Sequence, residues 1–204
     1  MEKPAEYKIL KTFLYKEKQK FNEIEKSLNM RSNKLSYHLT QLVKKGILLK
    51  QKENYKLSET SEHLIPYLSK KNSVLTVLLI AVTKNNKVFL HKRNKRPFQN
   101  KLGLPGGRIL LKENINSATK RILKEKHNIN AKLGKVHSVS VESIKKSGKI
   151  IQTDLIIFVS ASTKDKINYT SLKSNKSKII SSDYQLLEKD LDKEIKINKF
   201  VTKG

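Results

Sequence analysis

The stretch VLTVLLIAV, residues 74–82, is the longest apolar run in the chain. A membrane-spanning helix needs about 20 apolar residues, so this run is too short to cross a bilayer and reads as a buried β-strand. The turn sequence TKNN and the segment KVFLHKR follow it. Together they predict a β-hairpin with Asn85 and Asn86 at the tight turn, where positive φ is needed. Residues 94–111 carry Pro and Gly punctuation and read as loop. A helix is predicted from about Ile115 to Lys126, and KLGKVHSVSVES and IIQTDLIIFVSAS read as further strands around a turn at KKSG. SKIISS reads as strand-like and YQLLEKDL as a short helix. The Lys/Ser-rich stretch 162–178 reads as a mobile segment. Sheet elements on either side of one central helix predict an α/β sandwich.

Upstream of residue 70 the pattern is different. Tyr7, Ile9, Leu10, Phe13 and Leu14 recur at helical spacing, as do Phe21, Ile24 and Leu28. Ser32 is placed to cap a third helix whose buried stripe is Leu35, Leu39 and Leu42, and Gly46 to stop it. A two-stranded ribbon follows with a polar tip around residues 52–54, then another helix from about Ser58. The polar SKKNS, residues 69–73, reads as a linker. The fold class expected is therefore α+β in two domains, residues 1–70 and residues 71–204.

Composition narrows the function classes. The 204 residues contain no Cys, which excludes disulfides and Cys-ligated zinc. No signal-peptide-like run opens the sequence, and a soluble cytoplasmic protein without a membrane role is the expectation. A formal charge of +26 favours polyanions as partners, nucleic acid or phosphorylated ligands. Lysines scattered over the whole sequence give the same total without any such partner, so charge needs support from a motif.

Two motifs provide it. LSYHLTQLVKKGILLKQKENYKLSETSEHL resembles the winged helix-turn-helix of the arsenic-repressor type, over roughly residues 5–68. The resemblance implies that the third helix docks in the major groove of double-stranded DNA with the wing on the adjacent backbone. Arg31, Lys34, Lys44, Lys45, Lys50 and Lys52 would then meet phosphates, and Asn33, Ser36, Tyr37 and Gln41 base edges. A homodimer is expected, so that two such helices reach successive grooves. The same residues also fit an ordinary solvated face, and winged helices also serve as protein-binding modules.

LGLPGG followed by RILLKENINSATKRILKEKHNI resembles the Nudix box, in a likeness spanning about residues 73–200. It implies an α/β/α sandwich with a mixed sheet. Gly107, Glu113, Arg121, Leu123, Glu125 and Ile129 match the pattern; Ile122 and Lys126 stand where the family has Glu, and Asn128 where it has Gly. Positions 122, 125 and 126 share one helix face. Three carboxylates there would hold Mg²⁺. Instead, an ammonium about 5 Å from a divalent ion costs on the order of 6–7 kcal/mol at an effective dielectric of about 20.

Two readings follow. In the first, the chain is a DNA-binding transcriptional regulator whose degenerate Nudix domain senses a nucleotide-type or other phosphorylated ligand. Arg93, Arg96, Gly106, Gly107, Arg121 and Lys126 are then the ligand-binding candidates, with Lys126 supplying the charge of the absent metal. In the second, it is an active Nudix hydrolase of nucleoside diphosphate derivatives using Mg²⁺, with Glu125 catalytic and Glu113 and Glu125 as metal ligands. Glu142 and Asp154, on later segments, are further acids that could approach such a site, though the sequence does not place them. Arg121 and Glu125, at i and i+4, also fit a plain surface pair.

Overall fold

The computed structural model describes residues 4–61 and 74–201. The chain divides into two compact units, Met1–Ser73 and Val74–Gly204. Most of the helix expected after Ser58, and the linker at 69–73, lie outside the described residues; a single 3-10 turn is seen at 59–61.

The first unit contains α1 (Ala5–Thr12), β1 (Lys18–Lys20), α2 (Phe21–Leu28), α3 (Ser32–Lys44), β2 (Leu48–Gln51) and β3 (Asn54–Leu57). Ile9, Leu10 and Phe13 of the α1 region, Ile24 of α2, and Leu35, Leu39 and Leu42 of α3 bury against Leu48, Tyr55 and Leu57. This is the apolar periodicity read from the sequence. Gly46 adopts φ +68°, which frees the chain to turn back into β2. Two details differ. Ser32 does not cap α3; Arg31 holds the cap position without a side-chain bond, and the Ser32 hydroxyl donates to Glu25 instead. The ribbon also gains a third strand, because β1 pairs antiparallel with β3 to give the order β1-β3-β2. At three residues, β1 is too short to leave a period-2 signature.

The second unit is built on β4 (Leu75–Lys84). Its neighbours are β5 (Lys87–Val88), β6 (His91–Lys92), β7 (Leu102–Gly103) and β8 (Gly106–Arg108), then α4 (Ile115–His127), β9 (Ala131–Lys146) and β10 (Lys149–Thr163). β11 (Thr170–Ser171), α5 (Leu172–Asn175) and α6 (Ser181–Lys189) complete it. The main sheet runs β11-β5-β4-β10-β9, with β8 also on β4. β10 is parallel to β4 and antiparallel to β9, so the sheet is mixed. Side chains alternate across a strand. Leu78, Ile80 and Val82 of β4 pack with Ala118, Ile122 and Leu123 of α4. Leu79 and Ala81 pack on the opposite face with Leu186 and Leu187 of α6. Helices cover both faces, and that is why the strand is apolar nearly throughout.

Asn85 and Asn86 both have positive φ, 50° and 56°, as the hairpin turn requires. The expected strand at SKIISS is absent. A 3-10 turn at Lys176–Lys178 precedes one isolated bridge from Ile179 to Leu102, and α6 begins at Ser181. Ile179 and Ile180, each 4% exposed, anchor a reversal of the chain and so mimic strand composition. The stretch 162–178 is structured as well: it holds the end of β10, β11 and α5, and the Asp165 carboxylate accepts from the Asn130 backbone N–H at 2.6 Å. Among the described residues no helix is long and apolar enough to cross a membrane.

Candidate functional site

The sequence directs attention to α4 and the turn before β8. α4 starts at a capping box in which the Asn114 side chain accepts from the Ser117 N–H at 2.8 Å and Ser117 accepts from the Asn114 N–H at 2.9 Å. It ends at Asn128, whose φ of 54° is the left-handed stop. Asn is one of the few residues that adopt this conformation readily.

Glu113 and Arg121 form a two-pronged ion pair. Arg121 Nε lies 2.5 Å from Glu113 Oε1 and Nη2 2.8 Å from Oε2, and Nη2 also donates to the Arg108 carbonyl at 2.9 Å. The Leu110 N–H adds a bond of 2.8 Å to Glu113. The Arg121 hydrogen bond, and then that N–H, hold the Glu113 carboxyl down at about 2. Both side chains are thereby engaged in tying the loop at 108–113 to the helix. Glu125 is 63% exposed and 3.7 Å from Arg121. The i, i+4 pair expected from the sequence exists, but it is the looser of the two contacts.

Ile122 is fully buried. Lys126 Nζ donates to the Gly106 carbonyl at 2.5 Å. Burial, and then the charges of Arg121, Arg93 and Lys95, lower the Lys126 pKa. The two glycines let the turn lie against its neighbours. A Cβ on Gly106 would fall 2.6 Å from Leu79 Cδ2, and one on Gly107 would fall 3.0 Å from Lys126 Nζ.

Two adjoining cavities share Arg93, Gly106 and Lys126. The outer one, about 520 Å³, adds Lys92, Lys95, His91 and His127. The rings of His91 and His127 lie against each other, centroids 4.7 Å apart and tilted by 57°. Burial first, then the charges of His127 and Arg93, push His91 down to about 4. Burial, followed by the Lys126 charge, lowers His127 as well. The outer cavity thus carries its positive charge on four lysine and arginine side chains rather than on the imidazoles. The inner cavity, about 270 Å³, brings Glu142, Asp154 and Asp183 to the same cleft, with Gly107, Arg108 and Gln152. A larger cavity of about 590 Å³ lies along α6. It is less suited to a charged ligand, since its Lys176 already sits over the Tyr184 ring at 4.9 Å.

Of the residues singled out in the sequence, Arg93, Gly106, Gly107 and Lys126 come together here, as do Glu142 and Asp154. Arg96 is exposed and lines neither cavity; Glu113, Arg121 and Glu125 line neither. Asp183 and Gln152 were not foreseen. Asp183 is 4% exposed, accepts from the Leu104 N–H at 2.7 Å, and is pushed up to about 7, mainly by burial. No local pattern announces it, because the fold brings α6 to the cleft from the far end of the chain.

These residues do not reproduce a Mg²⁺ site. On the helix face where the ion would sit are a buried aliphatic, an exposed carboxylate and an ammonium held against a carbonyl. Among the described residues no three His, Asp or Glu side chains are arranged to hold a metal ion.

In the first unit, Arg31, Asn33, Lys34, Ser36, Tyr37 and Lys44 are exposed along α3, and Gln41 is half-buried. Lys45 is engaged with Glu6 at 2.8 Å and 3.1 Å. Lys50 lies over the Tyr55 ring at 5.7 Å, and Lys52 sits at the ribbon tip with φ 55°.

No family model matches the sequence, and no curated protein is similar to it. Solved structures are similar. A Nudix hydrolase from Nitrosomonas europaea superposes with a TM-score of 0.50 at 14% identity, over 57% of this chain and 87% of that one. A crystal structure of a Nudix hydrolase from the same organism gives 0.47 at 16%, over 58% and 70%. The Nudix domain of Shewanella oneidensis NrtR, complexed with ADP-ribose, gives 0.47 at 15%, over 65% and 96%. The first of these carries the likeness, and its span is longer than the whole first unit. With a mixed sheet between α4 and α6 and the Gly106–Gly107 strand β8 ahead of α4, the chain contains a Nudix-hydrolase-like fold.

Proposed function

We propose that this protein is a DNA-binding regulator whose Nudix-like unit binds a phosphorylated, nucleotide-type ligand without hydrolysing it. The observation that carries the ligand half is Lys126. Its ammonium sits at the junction of both cavities, fixed by the Gly106 carbonyl, in the position where the family pattern has a carboxylate. Arg93, Lys92 and Lys95 line the outer cavity beside it. Such a cluster neutralises phosphate oxygens directly, through charge-assisted hydrogen bonds, with no metal between.

The DNA half is supported by element order and exposure. Three helices, a three-stranded antiparallel sheet and an exposed α3 face follow the plan of a winged helix. Arg31 and Lys34 stand at the first turn of α3, Lys44 at its last, and Lys50 and Lys52 on the ribbon. Asn33, Ser36, Tyr37 and Gln41 are the base-reading set. As a homodimer the protein would present two such helices to successive grooves. The ligand controls DNA affinity to the extent that it prefers one of two states.

A second reading, Mg²⁺-dependent hydrolysis of a nucleoside diphosphate derivative, draws on the three carboxylates of the inner cavity. One experiment separates the two. The full chain is incubated with nucleotide sugars, ADP-ribose and dinucleotides with and without Mg²⁺, and duplex DNA binding is followed by anisotropy across a salt series. The regulator reading expects ligand binding without turnover, and DNA affinity that falls steeply with salt. Mg²⁺-dependent turnover, with no salt-dependent DNA binding, would replace it with the hydrolase.

A further inference from the structure

The inner cavity poses a question that the anion-binding reading leaves open: why acids line a cleft whose mouth is basic. Glu142 on β9 and Asp154 on β10 are direct cross-strand partners. Like charges placed opposite each other destabilise a sheet. Both point to the face that bears Gln152 and Ile156, which stand two residues either side of Asp154 on β10 and so share its face. Asp154 is only 6% exposed. Its Oδ2 accepts from Gln152 Nε2 at 2.7 Å, while its Oδ1 is buried and has no donor among the described residues. Native proteins seldom leave a buried acceptor in that state, because its lost hydration is not replaced. Asp183 closes the other side of the cavity, its Oδ2 already held by the Leu104 N–H. Packing alone gives no reason for three carboxylates around a space of about 270 Å³.

The cavity fits a particular kind of occupant. The three acids are not placed to hold a bare metal ion. The volume is at the small end for ligand pockets, so it admits a pentose-sized group and not a whole dinucleotide. Arg93, Gly106 and Lys126 belong to both cavities, so a phosphate held there would project its substituent inward. We infer that the inner cavity is an acceptor subsite, in which Glu142 and Asp154 read O–H or N–H donors on the group attached to the ligand's phosphate. The donors supply the hydrogen bond that Asp154 Oδ1 lacks and relieve the repulsion between the opposed carboxylates. Asp183 is a positioning residue that shapes the inner wall from α6.

The inference rests on the anion-binding reading and adds to it the chemistry of the ligand's other half. Titration calorimetry of the full chain in the presence of EDTA tests it with three probes. Methyl phosphate offers no donor, ribose 5-phosphate offers hydroxyls, and 2-aminoethyl phosphate offers an ammonium. At least one donor-bearing probe is expected to bind about tenfold tighter than methyl phosphate. Which one does so identifies the source of the donor. Asp154→Asn and Glu142→Gln should each shrink that preference to less than about threefold. Should Asp154→Asn fail to fold, Glu142→Gln on the partly exposed edge strand decides the matter alone. Equal affinity for the three probes, or a preference that both variants leave intact, overturns the inference while the anion site stands. No binding of any probe overturns both.

Discussion

The two walls of the cleft carry opposite charge, a cation on α4 and carboxylates on the sheet. On the α4 wall, Lys126 is the group that reaches the cleft, while Glu125 points to solvent and Ile122 belongs to the core. On the sheet wall, Glu142 and Asp154 face the same space, with Asp183 beside them. The helix wall has a physical reason to be basic. Lys124, Lys126 and His127 occupy the last turn of α4, where the carbonyl ends concentrate negative potential. A cation there complements the helix and needs no bound ion to be stable. Acids on strands lack that support, and the pair at 142 and 154 adds repulsion. The cleft therefore does contain acids, but on β9, β10 and α6 and not on α4.

The contrast can be broken from either wall. The largest effect is expected from placing a carboxylate on the core side of α4, Ile122→Glu. Because Ile122 is fully buried among Leu78, Ile80 and Leu123, the carboxylate would be taken out of water with Lys126, at i+4, as its one near cation on α4. The second unit should lose more than about 3 kcal/mol, seen as a large drop in Tm. A small loss would mean that the helix face can still turn toward the cleft. Next is Lys126→Glu, which should weaken methyl phosphate binding in EDTA by about tenfold or more. Lys126→Arg should retain most of it.

Smaller effects come from titration. Glu113 is held near 2, below the ordinary carboxylate range, so its contribution is complete at neutral pH and disappears as pH falls through about 4 to 2. Glu113→Gln should flatten acid unfolding across that window. Asp183 has the opposite sign. With its folded value raised to about 7, it disfavours folding increasingly as pH rises from about 4 to 7. Asp183→Asn should remove that slope, measured by urea unfolding at several pH values. The smallest effect belongs to the first unit. Lys45→Ala breaks an exposed pair with Glu6 and should change stability by no more than about 1 kcal/mol.

Much of the scaffold was legible in local pattern. The leucine stripe of α3, the asparagine turn after β4 and the apolar run of β4 itself are short-range signals, and each produced the element it predicts. That Lys126 and Arg93 share a cleft was legible, because one lies in the motif and the other in its lead-in. The Glu113–Arg121 pair was not, since the sequence offers Arg121 two carboxylates and the helical spacing favours Glu125. Only the loop at 108–113, folding back on α4, brings Glu113 closer. The acid wall was least legible. Glu142 and Asp154 sit in alternating strands where a polar residue normally faces water, and the partner that makes them a site is fixed by the register of β9 on β10. Asp183 needed the whole unit to close.

On the function proposed above, Lys126 stands in for a metal ion. Calorimetric titration of ADP-ribose into the wild-type chain, once in EDTA and once in excess Mg²⁺, tests it most directly. The account predicts the same affinity in both, with no product formed. Binding that appears only with Mg²⁺, accompanied by release of cleaved product, would contradict it.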